Sequence, residues 1–146
     1  MGRRRRAREL AIQVLFHLEF NADDPREVFD LICGNFRTQE SIKPFSAQLV
    51  LGVCEKREEL DALIIHASNN WRLPRMARLD KCILRLAAFE MMFMHDIPPK
   101  VSIDEAVDLG KKFGSEDSGS FINGILDNIY NTLLQQGRVE IDSKPN

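Results

Sequence analysis

Three features of the sequence predict an all-α fold. Apolar residues recur at three- and four-residue spacing along most of its 146 residues. Clusters of Pro, Gly, Asn and Asp separate these runs at intervals that suit helices. No segment alternates apolar and polar residues for long enough to make a half-buried strand. A compact bundle of about six to seven helices follows, in a single domain over residues 1–137, with 138–146 as a flexible polar tail.

Leu10, Ala11, Val14, Leu15 and Leu18 mark one face of a first helix, from about residue 6 to 20. Ile12 and Phe16 widen that face, so the helix packs on more than one neighbour. Asp24-Pro25-Arg26-Glu27 starts a second helix, with Asp24 as cap and Pro25 in its first turn. Val28, Phe29, Ile32 and Phe36 line it. A third helix is predicted from Pro44 past residue 65, carrying Phe45, Leu49, Val53, Leu60, Leu63, Ile64 and Ala67, with Gly52 weakening its interior.

The segment from Arg78 to His95 is apolar on nearly every side, which suits a central helix. Ser102-Ile103-Asp104-Glu105 reads as a capping box opening the next helix. After the loop 114–119, a last helix carries Phe121, Ile122, Ile125, Leu126, Ile129, Tyr130, Leu133 and Leu134. Gly137 is its expected C-terminal cap.

Composition excludes several classes of function. No apolar run reaches the roughly 20 residues a membrane helix needs, and no apolar core follows the basic start as in a secretion signal. Cys33, Cys54 and Cys82 are odd in number and widely spaced, the pattern of reduced thiols in a cytoplasmic protein. His17, His66 and His95 have no metal-ligand spacing, and neither a phosphate loop nor a nucleophile motif is present. Glu58-Glu59 and Glu116-Asp117 are neighbours on helix or loop, better read as solvated charge than as an acid–base pair. The sequence therefore predicts no enzyme, no metal and no cofactor.

Charge is the informative feature. The chain has a formal net charge of −2, yet residues 1–8 hold five arginines and no acid. The remainder has 15 basic against 22 acidic side chains, or −7. Guanidinium forks match phosphate geometry, so this arginine-rich start is a candidate RNA or DNA contact. A second basic set, Arg72, Arg75, Arg78, Lys81 and Arg85, reads either as part of a nucleic-acid path or as a face paired to body acids. Phe121, at a helix start beside a polar loop, is placed for base stacking or for the core.

The segments Arg4-Arg5-Arg6-Ala7-Arg8-Glu9 into Ala11–Phe16, Asp80–Glu90, Ile97–Leu109 and Phe113–Asp127 together resemble the NusB family of bacterial transcription antitermination factors. The resemblance spans about residues 3–134. It implies two packed helical subdomains and binding to the boxA element of ribosomal RNA leaders together with the 30S ribosomal protein NusE. It further implies entry into an RNA polymerase complex with NusA and NusG, and self-association in some members. On matching positions it implies RNA contacts at Arg4, Arg5, Arg6, Arg8, Asp117 and Phe121, and partner docking around Arg85, Phe89 and Glu90.

The chain departs from the family pattern at several positions. Gly119-Ser120 precedes Phe121 where a basic residue is common, and Phe16 and Phe89 stand where tyrosine is frequent. Gly110 replaces a usual alanine, at an expected helix cost of about 1 kcal/mol. Two other readings of the sequence are a helical module related to the N-terminal domain of rRNA cytosine methyltransferases and a protein-only homodimeric adaptor.

Overall fold

From Cys82 to Met92 every residue is buried, and the rest of the molecule is arranged around that segment. A computed structural model describes residues 2–35, 38–69 and 73–139. Within these, the helices are α1 (Arg3–Phe20), α2 (Pro25–Asn35), α3 (Lys43–Glu55), α4 (Arg57–Ala67), α5 (Arg78–Phe93), α6 (Pro99–Phe113) and α7 (Ser118–Gln135). Short 3-10 turns at Glu40–Ile42 and Leu73–Arg75 link α2 to α3 and α4 to α5. The all-α reading holds, and no helix among the described residues is long and apolar enough to cross a membrane.

Helix α5 touches α1, α3, α4, α6 and α7, which explains an apolar surface on almost every side. One layer is α1 packed on α2 and α3; the other is α4, α6 and α7, with α6 and α7 forming the most extensive helix pair. Leu49, Leu60, Ile64, Ile83, Leu84, Leu86, Met91, Ile122, Leu126, Ile129 and Leu133 are fully buried along the shared seam. Their burial is the principal drive for the bundle.

The ends of α2 and α7 follow the sequence. Asp24 Oδ2 accepts the Glu27 amide at 3.0 Å, the predicted cap. Gly137 has φ +70°, and the Arg138 and Gly137 amides donate to Leu133 and Leu134 carbonyls at 2.9 and 3.0 Å, a Schellman end. Phe36 of the predicted α2 face lies outside the described residues, as do positions 140–146 of the tail.

Two expectations are corrected. The single helix from Pro44 past 65 is two helices, because Lys56 leaves helical geometry at φ −101°, ψ 16°. Its hydrogen bonds continue, Lys56 N to Gly52 O and Leu60 N to Lys56 O, both 3.0 Å. This bend keeps α3 on α1 and α2 while α4 packs on α5 and α7. The capping box at 102–105 is also absent. Helix α6 starts four residues earlier, at Pro99, with Pro98 rather than Ser102 as N-cap and no side-chain cap bond. Pro99 needs no amide partner and has φ preset for a helix, which frees Ser102 and Glu105 for tertiary contacts.

Two interior glycines mark close helix approaches. A Cβ on Gly52 would overlap the Phe89 ring, and one on Gly110 would meet Ile122 Cδ1 at 2.7 Å. Gly110 is therefore a packing residue as well as a helix weakener. Alanine at either site gains about 1 kcal/mol of helix propensity. At Gly52 three ring atoms must move, and overpacking costs about 1–3 kcal/mol. Chemical denaturation should show Gly52→Ala less stable than wild type and Gly110→Ala close to it, since there only the terminal methyl of Ile122 has to yield.

Candidate nucleic-acid interface

Helix α1 opens on Arg3-Arg4-Arg5-Arg6 with no acid in its first turn and no side-chain cap. Cations are unfavourable at a helix N-terminus, so this turn needs negative charge from elsewhere. That charge comes from the α5–α6 connection and from α6. Arg4 Nη2 meets Asp96 at 3.2 Å and stacks over the Phe45 ring at 4.6 Å. Arg5 binds Glu105 through Nε and Nη2 at 2.9 and 2.8 Å, and Asp108 through Nη2 at 2.7 Å. These bonds raise the Arg5 pKa further and hold the Glu105 carboxyl below its ordinary range. Arg6 is exposed, with Nη1 at 3.3 Å from Gln39 Oε1.

Arg8 is placed differently. It is 3% exposed, and its Nε and Nη2 donate to Glu90 at 2.7 and 2.8 Å. Glu90 is 0% exposed and accepts a third bond from Ser102 Oγ at 2.7 Å. The structure thus removes Arg8 from the set of surface arginines and turns the supposed cap residue Ser102 into a ligand of a buried carboxylate.

Helix α6 joins the arginines to the second candidate region. Beyond Asp108, Lys112 Nζ bonds Glu9 Oε2 at 2.9 Å, so long side chains bridge α1 and α6 again further along both helices. The chain then enters the 114–117 loop, closed by Ser118 Oγ accepting the Ser115 amide at 2.9 Å. Asp117 is exposed at the N-cap of α7, and its carbonyl accepts the Phe121 amide at 3.0 Å. Phe121 is half-buried and lines an open groove of about 510 Å³ with Ser68, Asn69, Gly124 and Asn128. Phe121 thus packs against the core with part of its ring exposed. The arginines meet α6 at Glu105 and Asp108, whereas Asp117 and Phe121 lie past its end, in the following loop and in α7, so the two regions do not meet at one point.

The residues tied to partner docking lie inside. Arg85 donates to Asp61 at 2.7 Å and to Glu19 at 2.8 Å, while Lys81 and Arg57 each approach Glu19 at 3.4 Å. Burial opposes the Glu19 charge, but Arg85, Lys81 and Arg57 outweigh it and keep the carboxyl below its ordinary range. The Phe89 ring packs beside Gly52 and Phe93. Glu90 is the Arg8 partner. Of the second basic set, Lys81 and Arg85 follow the acid-paired reading, and Arg72 lies outside the described residues.

Sequence reasoning passed over what this end exposes. Phe16 and Phe20, 37% and 55% exposed, meet edge to face at 5.1 Å, and the Arg78 guanidinium sits 4.6 Å above the Phe20 ring. The readable signal was an i, i+4 aromatic pair off the Leu10–Val14 face.

Burial pushes the Cys82 thiol up to about 12 and the Cys54 thiol up as well. No cluster of three or more His, Cys, Asp or Glu suited to a metal occurs among the described residues.

Fold and surface together define a class: an all-helical domain wrapped on one buried helix, with an arginine-bearing helix start anchored at its surface. The NusB family model matches residues 5–131. The transcription antitermination protein NusB of Desulfatibacillum aliphaticivorans is 46% identical over 140 residues, covering 96% of this chain and 98% of that protein. The NusB structure from T. maritima superposes with TM-score 0.82 at 35% identity, covering 90% and 92% of the two chains. A crystal structure of the antitermination factors NusB and NusE in complex with dsRNA contains a chain matching at TM-score 0.82 and 27% identity, over 90% and 98%. This chain belongs to the NusB family, whose members are non-enzymatic RNA-binding proteins of transcription antitermination.

Two stability experiments follow from the ion pairs. Arg8→Ala leaves Glu90 buried without its counter-charge and should cost about 3–5 kcal/mol in chemical denaturation; replacing both residues with Met should recover most of it. The carboxyls of Glu19 and Glu105 titrate below their ordinary value of 4.5 in the folded protein. Their contribution is therefore present above about pH 4.5 and is lost as pH falls through the folded values. Tm measured from pH 6 to 3 should drop below that point, and less steeply in Glu105→Gln.

Proposed function

We propose that this chain binds boxA RNA of ribosomal RNA leaders together with the ribosomal protein NusE and joins the RNA polymerase antitermination complex with NusA and NusG. The observation that carries this reading is the anchored cationic start of α1 in a NusB-family fold. Arg4, Arg5 and Arg6 supply guanidinium groups for phosphates, and Arg8 holds their helix from inside. The Asp117 loop and the half-buried Phe121 continue the RNA surface, the loop near backbone and bases, the ring as a stacking edge. NusE docks on the outer side of the α1–α5 junction, where Phe16, Phe20 and Arg78 form an exposed aromatic and cationic patch. Arg85, Phe89 and Glu90 support that junction from within.

Binding of a labelled boxA-like single strand and a scrambled control, across a salt series with and without NusE, tests this reading. The informative variant is Arg4→Gln/Arg5→Gln/Arg6→Gln, which spares the buried Arg8. Selective, NusE-dependent binding is expected, with the salt slope of the variant shallower by about two for three lost phosphate contacts at roughly 0.7 each. Absence of any discrimination between the RNAs with NusE present would instead support a protein-only adaptor, with self-association of the chain as its natural form.

A further inference from the structure

Arg5 lies between two carboxylates that hold it very differently. Glu105 makes a two-point fork to Nε and Nη2, has a side chain 21% exposed, and is held again by Arg8 Nη1 at 3.6 Å. Asp108 touches the same Nη2 with one oxygen at 2.7 Å, from a side chain 51% exposed. A two-point, part-buried pair fixes geometry, whereas an exposed one-point pair is weak and readily exchanged. The triad of Arg5, Glu105 and Asp108 also sums to −1, so with both acids in place its field repels phosphate.

We infer that Asp108 occupies the position of an RNA phosphate on Arg5: binding exchanges this one carboxylate for phosphate, while Glu105 keeps the guanidinium in place. The inference rests on the RNA-binding reading above. Asp108 is then an internal competitor that lowers the sequence-independent part of the affinity. It acts on a contact that carries no base information, so its effect is the same on any RNA that engages Arg5. The arrangement accounts for an arginine-rich start that the fold partly neutralises: Arg5 is ordered in advance, and its attraction for phosphate in general is held down.

The test measures RNA affinity with NusE present for wild type, Asp108→Asn, Asp104→Asn, Arg5→Gln and Arg5→Gln/Asp108→Asn. Asp104 is an exposed acid on the same helix, so its variant reports the plain effect of removing one charge from α6. Asp108→Asn should bind about two- to fivefold more tightly, the size of one exposed ion pair released. The gain should be equal on boxA-like and scrambled strands, steepen the salt dependence, exceed that of Asp104→Asn, and vanish when Arg5 is absent. A gain matched by Asp104→Asn, a gain that survives Arg5→Gln, or no gain at all overturns the inference. Weaker binding overturns it too, since Asp108 would then be positioning Arg5. If wild type binds neither RNA with NusE present, the RNA-binding reading itself falls and takes this inference with it; normal wild-type binding with an unresponsive Asp108→Asn removes the inference alone.

Discussion

The carboxylate of Glu90 is buried completely in the last turn of the most buried helix, and the fold is arranged to satisfy it. Desolvating a carboxylate costs several kcal/mol, and an interior ion pair offsets that cost only with good geometry and further hydrogen bonds. Arg8 supplies two bonds and Ser102 a third, from α1 and α6 respectively. One side chain of α5 therefore fixes the rotation of α1 and the depth of α6 together. Other rotations of α1 would leave both charges desolvated and unpaired, so this contact selects the helix register even where it adds little net stability.

A second ionic cluster secures α1 at its opposite end. Glu19 meets Arg57, Lys81 and Arg85, and Asp61 closes on Arg85, which ties the end of α1 to α4 and α5. Between the two clusters α1 packs through Ala11, Val14 and Leu15. Held at both ends, α1 projects its first turn from a fixed base, and the exposed Phe16–Phe20 pair is fixed at the other end in the same way. The two surface regions of this NusB-family protein are thus set by one helix and its two internal ionic anchors.

Much of this was legible in the sequence, and the rest was hidden for identifiable reasons. Apolar spacing located the helices and the central role of α5, because burial on every side leaves a distinct pattern. The Lys56 bend was invisible: its hydrogen bonds continue across the turn, so neither a breaker residue nor a lost period marks it. Ser102–Glu105 has the local form of a capping box, but which partner wins depends on Glu90 and Arg5, distant in sequence. Arg8 was the readable miss. It stands three and seven residues before Ala11 and Leu15, on the buried face, while composition grouped it with its exposed neighbours. The reverse holds for Phe16, which continues the apolar face in sequence yet stands exposed at its edge.

The division of the arginines explains how a cationic helix start can exist on this fold at all. Four consecutive arginines at a helix N-terminus face an unfavourable dipole and repel one another, so the first turn of α1 is poorly stabilised by its own sequence. Acids from the rest of the chain compensate: Asp96 for Arg4, Glu105 and Asp108 for Arg5, Glu90 for Arg8. The surplus of acid in the body is therefore not a separate solubilising surface. Part of it is the counter-charge that lets α1 begin at Arg3 rather than fray. An ordered guanidinium loses less entropy when it meets a phosphate, which favours binding. Yet each compensating acid also competes with that phosphate. Order and restraint are here supplied by the same carboxylates, and the balance between them depends on how deeply each acid is buried.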